Sequence, residues 1–393
     1  MIQTADRMGR LPTYAVAELA AIKKRLLADG VDVIDLSAGD ADFPPPAPAV
    51  EALTHAAQVP AMSRYAFQVG LSEFRSAAAD YVHRRFGVEF DANDELLPLL
   101  GSKDGLSHLP LAFVNPGEVC VVPDPGYPAY LGGAVLAGAE VEYVALLPEK
   151  HFLVELGDLS PDRLRATRLV FLNYPNNPTT AVAPMDYLQR TVEICREYDI
   201  IIAYDNPYAE IAFNEYRAPS IFEVDGAREV ALEFHSVSKS FCMTGWRLGW
   251  VVGAPHLIGP LRQLKTWVDT GVFLAVQQAG AAVLAEAESL VKPLVQQFAV
   301  RRDAAIRALG EIGFEVAPPA ATMYLWVPLP PGVSAGAFTR DVLENEGVVL
   351  MPGTAFGAGG EGFFRIALTV GVERLLEGIG RMQDPLERIR GSG

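Results

Sequence analysis

Five short apolar runs, each ending in a polar turn, set the tightest limit on what this chain can fold into. Residues 95–100 lead into Gly101-Ser102-Lys103-Asp104, and residues 119–122 into Pro123-Asp124-Pro125-Gly126-Tyr127. Residues 169–172 lead into Asn173-Tyr174-Pro175-Asn176-Asn177-Pro178, and residues 200–204 into Asp205-Asn206-Pro207-Tyr208. The fifth run, residues 230–234, leads into His235-Ser236-Val237-Ser238-Lys239. Helical patterns alternate with these runs between about residues 49 and 280, which is the rhythm of βαβ units around a parallel sheet. Ligands of open parallel sheets bind outside the carboxyl ends of the strands, so the five turns are expected to converge on one crevice.

The two ends of the chain read differently. Residues 13–28 are rich in Ala, Leu and Lys and predict a helix, residues 31–36 alternate like a short strand, and prolines 44, 45, 46 and 48 mark a crossing between units. A helical stretch follows Gly271 to residue 290, Pro293 interrupts or bends it, and a second helical run reaches residue 310. Beyond it, residues 314–316, 324–327 and 363–368 are strand-like between helices. The expected α/β architecture is a large domain over residues 49–290, with a mostly parallel sheet between helices. A smaller α+β domain would draw on residues 1–48 and 291–393. No internal period is visible, so solenoids and propellers fall away.

Composition removes other classes. Half of the 393 residues are hydrophobic, enough for a large core, and the net charge of −16 argues against a nucleic-acid partner. Cys120, Cys195 and Cys242 have no metal-type spacing, and small core residues are the better reading, so no metal site is expected. No run approaches the roughly 18 apolar residues that span a bilayer, and residues 1–10 carry Asp6, Arg7 and Arg10 without an apolar signal core. A cytoplasmic protein with no membrane partner is expected.

The strongest local signal runs from His235 to Trp250. It places Lys239 just past a buried strand, flanked by Ser236, Ser238 and Ser240, with Arg247 eight positions on. A lysine in a site of low polarity can form a Schiff base with an aldehyde, and hydroxyls with a guanidinium suit a phosphate ester. A solvated lysine on a serine-rich loop is the competing account. Asp205 ends an apolar strand, either as a helix N-cap or as the acid that the ring nitrogen of pyridoxal phosphate requires. Tyr208 and Asn177 can reach a ring oxygen, or simply pack and turn. Gly101-Ser102-Lys103 opens a probable helix and so an anion site, or is a plain glycine turn. Tyr127 can stack on a flat ring or belong to the core. Arg365, inside the apolar run Phe363-Phe364-Arg365-Ile366, needs a partner, either a substrate carboxylate or a structural acid.

Taken together, Tyr174-Pro175-Asn176-Asn177-Pro178-Thr179, Asp205-Asn206-Pro207-Tyr208, and Ser236-Val237-Ser238-Lys239 through Thr244-Gly245-Trp246-Arg247-Leu248-Gly249 resemble the class I/II aminotransferases of pyridoxal-phosphate fold type I. Order and spacing match over roughly residues 10–385. Gly101-Ser102-Lys103-Asp104-Gly105 and Pro352-Gly353-Thr354-Ala355-Phe356-Gly357 are similar to the branch of LL-diaminopimelate, alanine and aspartate aminotransferase-like enzymes. The resemblance implies that Lys239 forms the Schiff base with pyridoxal 5'-phosphate, that Asp205 pairs the ring nitrogen, and that Tyr208 and Asn177 bind the ring oxygen. It implies Tyr127 on the ring face and Ser102, Lys103, Ser236, Ser238 and Arg247 around the phosphate. Tyr65 looks like the tyrosine that reaches the phosphate of the neighbouring subunit, which implies a homodimer with shared sites. Arg365 would hold the substrate α-carboxylate, helped by the backbone at Gly39.

Three positions depart from the family pattern. Thr180 stands where a glycine usually closes the Asn-Pro-Thr-Gly turn, and Ala41 replaces a proline. Trp267 stands where related enzymes often carry a small polar residue, in a segment expected near the partner's substrate entrance. A tryptophan there favours an apolar or aromatic substrate group, or fills a gap. The activity implied is ping-pong transfer of an amino group between an L-amino acid and a 2-oxo acid, with oxidation, decarboxylation or β-elimination of an amino acid as the alternative. A non-catalytic sensor would need a DNA-binding unit, and a nucleotide-dependent oxidoreductase a G-x-G-x-x-G after the first strand. Neither is found in the sequence.

Overall fold

A computed structural model describes residues 3–11, 16–67 and 69–391. Its strands are β1 (Ile34–Asp35), β2 (Leu96–Leu99), β3 (Val119–Asp124), β4 (Glu140–Ala145), β5 (Thr167–Asn173) and β6 (Ile201–Asp205). They continue as β7 (Ala231–Ser236), β8 (Gly249–Gly253), β9 (Tyr324–Pro328), β10 (Val348–Val349), β11 (Met351–Pro352) and β12 (Phe363–Ala367). Seven of them form one sheet in the order β2-β8-β7-β6-β5-β3-β4. All its pairings are parallel except those of β8, which runs antiparallel to both β2 and β7.

All five apolar runs became strands of this sheet, and the reason lies in their composition. Residues 169–172 and 201–204 are apolar at every position, which suits a strand buried on both faces. Their side chains alternate between two cores. Val170, Leu172, Ile202 and Tyr204 pack on one face, and Leu169, Phe171, Ile201 and Ala203 on the other. The register then fixes the site. Asn173 stands opposite Asp205 and Asp205 opposite Phe234, while Ser236, two residues further along β7, stands opposite Gly249, so the polar residues that end three strands lie at the same edge of the sheet.

The second assembly is smaller. β9, β12 and β11 form an antiparallel sheet, and β1 pairs in parallel with β10, so a strand from the start of the chain is built against its last third. A separate core holds Ile34, Leu36, Phe298, Tyr324, Leu325 and Ile366. The loop after β1 is clamped to the long Ala287–Glu311 helix. Arg301 bonds both oxygens of Asp42, at 2.7 and 3.0 Å, and lies 4.3 Å from the centre of the Phe43 ring.

Several details differ from the sequence expectations. The expected cut at residue 290 falls inside the continuous Ala287–Glu311 helix, which carries Pro293 within its length. The helix expected over residues 13–28 is described over Val16–Ala28, and residues 13–15 lie outside the described residues. Residues 314–316 are not a strand. Phe314 N–H caps the preceding helix by donating to Leu309 O across Gly313, whose φ is +96°. Pro318 and Pro319 follow and cannot donate to a ladder. β4 and β8 were not anticipated. The first is half-exposed with acidic residues in it, and the second is a five-residue run bounded by glycines.

Thr180 adopts φ +63° in the turn after β5, where a β-branched residue is strained. Its N–H donates to Asn176 O at 3.0 Å, which holds the turn in that shape. Thr180→Gly is therefore expected to raise stability by about 1 kcal/mol in chemical denaturation, and an unchanged or lower midpoint would contradict this reading.

Candidate active site

The turns after the central strands meet the smaller sheet around a cavity of about 290 Å³. Its wall contains Gly39, Ser102, Lys103, Tyr127, Asn177, Asp205, Tyr208, Ser236, Ser238, Lys239, Arg247 and Arg365. These are all the expected site residues save two. Tyr65 and Trp267 lie outside this wall and are 73% and 87% exposed.

Lys239 sits on the single helical turn Val237–Ser240 that follows β7, and Ser236 Oγ caps that turn by accepting from Ser238 N–H at 3.1 Å. The Lys239 amine is half-buried and donates to Gly39 O at 2.8 Å. Asp205 ends β6 and is buried. It caps no helix, which removes the N-cap account. Its Oδ2 accepts from Tyr130 Oη at 2.7 Å, while Oδ1 is buried with no hydrogen-bond partner. Burial raises the carboxyl from 3.8 to about 7, against the downward pull of the Tyr130 hydrogen bond and the Lys239 charge. An unpaired buried carboxylate oxygen is costly, and a cationic N–H beside it would remove the cost. The chain around Asp205 is pinned from behind. Asn173 Nδ2 donates to Asp205 O at 2.7 Å, and Asn206 Nδ2 donates to the buried Glu233 at 2.8 Å.

A second group of residues suits an anion. Gly101 precedes the Ser102–Phe113 helix at φ +79°, and a Cβ there would lie 2.3 Å from Arg247 Nη2, so both conformation and space demand glycine. Arg247 donates to Thr244 O at 2.8 Å and to Leu100 O at 3.3 Å, which brings its guanidinium beside the start of that helix. Ser102, Lys103, Ser236, Ser238 and Thr244 complete the group. Asp104, one residue further along the helix, would repel an anion, but it is already occupied. Lys265 and His108 bind its carboxylate and, with the Leu100 N–H, hold it at about 2 despite burial.

A third group surrounds Arg365 on β12. Its Nη1 donates to Asn177 Oδ1 at 2.6 Å and its Nη2 to Ser37 O at 2.8 Å, while Nε is buried without a partner. Arg365 pairs with no carboxylate among the described residues, so the structural ion-pair account does not hold. Two of its five N–H groups are engaged, and the remaining fork is suited to a carboxylate. Tyr127 and Tyr208 line the space between these groups.

Tyr130, Asn173, Thr244 and Tyr324 were not singled out from sequence as site residues. Tyr130 follows Tyr127 by three positions at the start of the Pro128–Ala137 helix, a spacing that puts both on one side. It stacks on Phe171 at 4.8 Å and so presents its hydroxyl to Asp205. Tyr324 and Asn173 carry no comparable local signal. The donor set fits pyridoxal phosphate on three counts. It offers an amine, an orphaned buried acid that a protonated ring nitrogen would satisfy, and an anion cradle made with two cations. No group of side chains able to hold a metal ion occurs among the described residues.

Comparison with known proteins agrees with this chemistry. The family model described as aminotransferase class I and II matches residues 31–381. The LL-diaminopimelate aminotransferase of Desulforudis audaxviator is 44% identical over 385 residues, covering 98% of each chain. That of Aquifex aeolicus is 43% identical over 384 residues, 98% of this chain and 99% of its own. Among solved structures, substrate-bound BacF from Bacillus subtilis superposes with a TM-score of 0.94 at 31% identity, over 98% of each chain. A probable N-succinyldiaminopimelate aminotransferase from Thermus thermophilus gives 0.90 at 34%, over 95% of this chain and 100% of its own. The chain belongs to the class I and II aminotransferases and is a pyridoxal-phosphate-dependent transaminase of fold type I.

Proposed function

We propose that Lys239, Asp205 and Arg365 carry this transamination, acting on an L-amino acid whose side chain is apolar or aromatic. One observation supports the assignment above the others. The orphaned Asp205 oxygen, the Lys239 amine and the partly engaged Arg365 fork all border one cavity. When bound, pyridoxal phosphate supplies a cationic ring that draws electrons away from the carbon bearing the amino group.

The chain's own groups do the rest. Lys239 would hold the cofactor aldehyde, and its amine, when free, would accept the proton from the substrate Cα and donate it back in the reverse half-reaction. Asp205 would bond the ring N–H with its unpaired oxygen. Tyr208 would donate to the ring oxygen, and Asn177, whose Oδ1 accepts from Arg365, has its amide N–H groups for the same atom. Tyr127 would cover the ring face. Ser102, Lys103, Ser236, Ser238 and Arg247 would hold the phosphate. Arg365 would bind the α-carboxylate beside Gly39. The amino group passes to a second 2-oxo acid in the return half-reaction.

Two chains are proposed to share these sites. Tyr65, Phe67, Val69, Trp267, Val268 and Phe273 are all more than a third exposed, an unusual concentration of large apolar side chains on a surface. They are rigidly mounted. The buried Arg75 donates to Val69 O at 2.6 Å, Gln277 accepts from Leu71 N–H at 2.8 Å, and a Cβ at Gly271 would lie 1.8 Å from Phe67 O. In a homodimer where Tyr65 reaches the partner's phosphate, this surface would border the partner's substrate entrance. Within one chain, Met351, Ala355 and Phe356 add apolar wall to the same cavity. The second reading, LL-diaminopimelate, is favoured by the names and 41–44% identity of the curated relatives.

Three outcomes follow. Lys239→Ala should lower turnover by at least roughly 10³-fold and abolish the visible absorption of lysine-bound cofactor. Full turnover would remove the assignment. In the apoprotein, a carboxyl raised from 3.8 to about 7 favours folding while protonated, and that advantage disappears as pH climbs through this interval. Wild-type apoprotein should therefore lose stability relative to Asp205→Asn between about pH 4 and pH 7, and thermal melts across that range will show a constant difference if Asp205 is not buried as described. In a panel of amino donors, phenylalanine- and leucine-like donors should exceed LL-diaminopimelate in kcat/KM, and Trp267→Asn should narrow the gap. The reverse order would establish the second reading.

A further inference from the structure

Tyr324 touches three of the groups to which roles are assigned above, yet has no role of its own in that scheme. It is 2% exposed at the start of β9. β9 pairs with β12 so that Arg365 stands opposite Trp326, and Tyr324 is the diagonal neighbour on the same face. Its ring centre lies 4.0 Å from the Arg365 guanidinium carbon, and the Phe356 ring lies 4.8 Å from the same carbon. At the other end of the ring, the hydroxyl is 3.3 Å from Tyr208 Oη.

That hydroxyl also explains a glycine. Gly39 is not among the residues with positive φ, so its backbone does not require glycine. The demand is for space. A Cβ on Gly39 would lie 2.5 Å from Tyr324 Oη, 3.6 Å from Tyr324 Cζ and 3.5 Å from Lys239 Nζ. The Gly39 carbonyl is the acceptor of the Lys239 amine at 2.8 Å, so the hydroxyl and the amine converge on the bare flank of one residue.

We propose that Tyr324 is the positioning residue of the carboxylate-binding end of the site, its ring setting the plane of Arg365 and its hydroxyl setting how closely Gly39 approaches Lys239. The proposal rests on the reading of Arg365 as the carboxylate-binding residue. A guanidinium held by Asn177 on one nitrogen and Ser37 on another can still tilt about those two bonds, and an aromatic face at 4.0 Å removes that freedom while adding cation–π attraction. The loop bearing Gly39 is anchored further along by Asp42 to Arg301. The Tyr324 hydroxyl is the contact that limits it on the cavity side.

The test uses holoenzyme with the best donor found and its 2-oxo acid. Tyr324→Leu, which loses the ring, should raise both KM values about tenfold with kcat within about threefold and cofactor content unchanged. Tyr324→Phe, which keeps the ring, should leave KM within about twofold. Gly39→Ala should lower kcat/KM by about tenfold or more and shift the absorption of lysine-bound cofactor, and Gly39→Ala combined with Tyr324→Phe should recover most of both. Unchanged KM values in Tyr324→Leu, or a Gly39→Ala defect that Phe at position 324 does not relieve, would overturn the proposal. If Tyr324→Leu does not fold, the Gly39 pair decides alone. Arg365→Lys is the control. If it leaves both KM values unchanged, the carboxylate assignment itself fails, whereas a large effect there with none at Tyr324 defeats only the role given to Tyr324.

Discussion

A carboxylate oxygen of Asp205 is buried without a hydrogen-bond partner, and the surrounding structure is arranged to keep it so. Sheet register places Asp205 between Asn173 and Phe234. Tyr130, fixed by its stack on Phe171, satisfies one oxygen and leaves the other. In the absence of a cation at that oxygen, burial raises the carboxyl from 3.8 to about 7, so that it is only partly ionised at neutral pH. A protonated ring nitrogen reverses the balance, because a charge pair in a dry site interacts far more strongly than in water. The protein therefore holds an electrostatic deficit at Asp205, which a cationic ring placed there would relieve. Deficits of this type mark functional sites more than structural ones.

The second constraint is topological. The contacts that define the cavity join residues 188 to 328 positions apart, as in Arg365 to Asn177, Lys239 to Gly39, and Arg365 to Ser37. The large sheet supplies the amine, the acid and the anion cradle. The small assembly supplies the guanidinium and, through the loop after β1, the backbone carbonyl that meets the amine. Asp104 shows how the two demands of charge and packing are reconciled. It lies in the first turn of the helix that opens the anion cradle, where a free carboxylate would oppose a phosphate, and buried Lys265 cancels it.

Legibility in the sequence follows from how local each signal is. The five strand-to-turn transitions were visible because a buried parallel strand is an unbroken apolar run and its turn is polar, a contrast spanning fewer than ten residues. Lys239, Asp205 and Asn177 stand in such turns, Arg247 lies eight residues beyond Lys239, and all four line the one cavity. β8 escaped because its run is short and bounded by glycines, and β4 because half-exposed acidic residues obscure its pattern. The strand expected at residues 314–316 failed because a glycine-terminated helix claimed the Phe314 N–H. Tyr324 escaped for another reason. Its importance lies in what it faces, and a tyrosine at the start of an apolar strand is locally indistinguishable from core.

From sequence alone came the sheet's alternating architecture, the chemistry of the turn residues and the order of the motifs, because apolar periodicity and turn composition act over a few neighbouring residues. Which neighbours each singled-out residue meets was decided only by tertiary structure. Asp205 caps no helix, Arg365 has no acidic partner among the described residues, and Gly39 is glycine because a tyrosine from 285 positions away fills the space beside it. Such outcomes depend on which surfaces the folded chain brings within a few ångströms. Burial and the loss of water, which turn an ordinary side chain into a reactive one, exist only once those surfaces have closed.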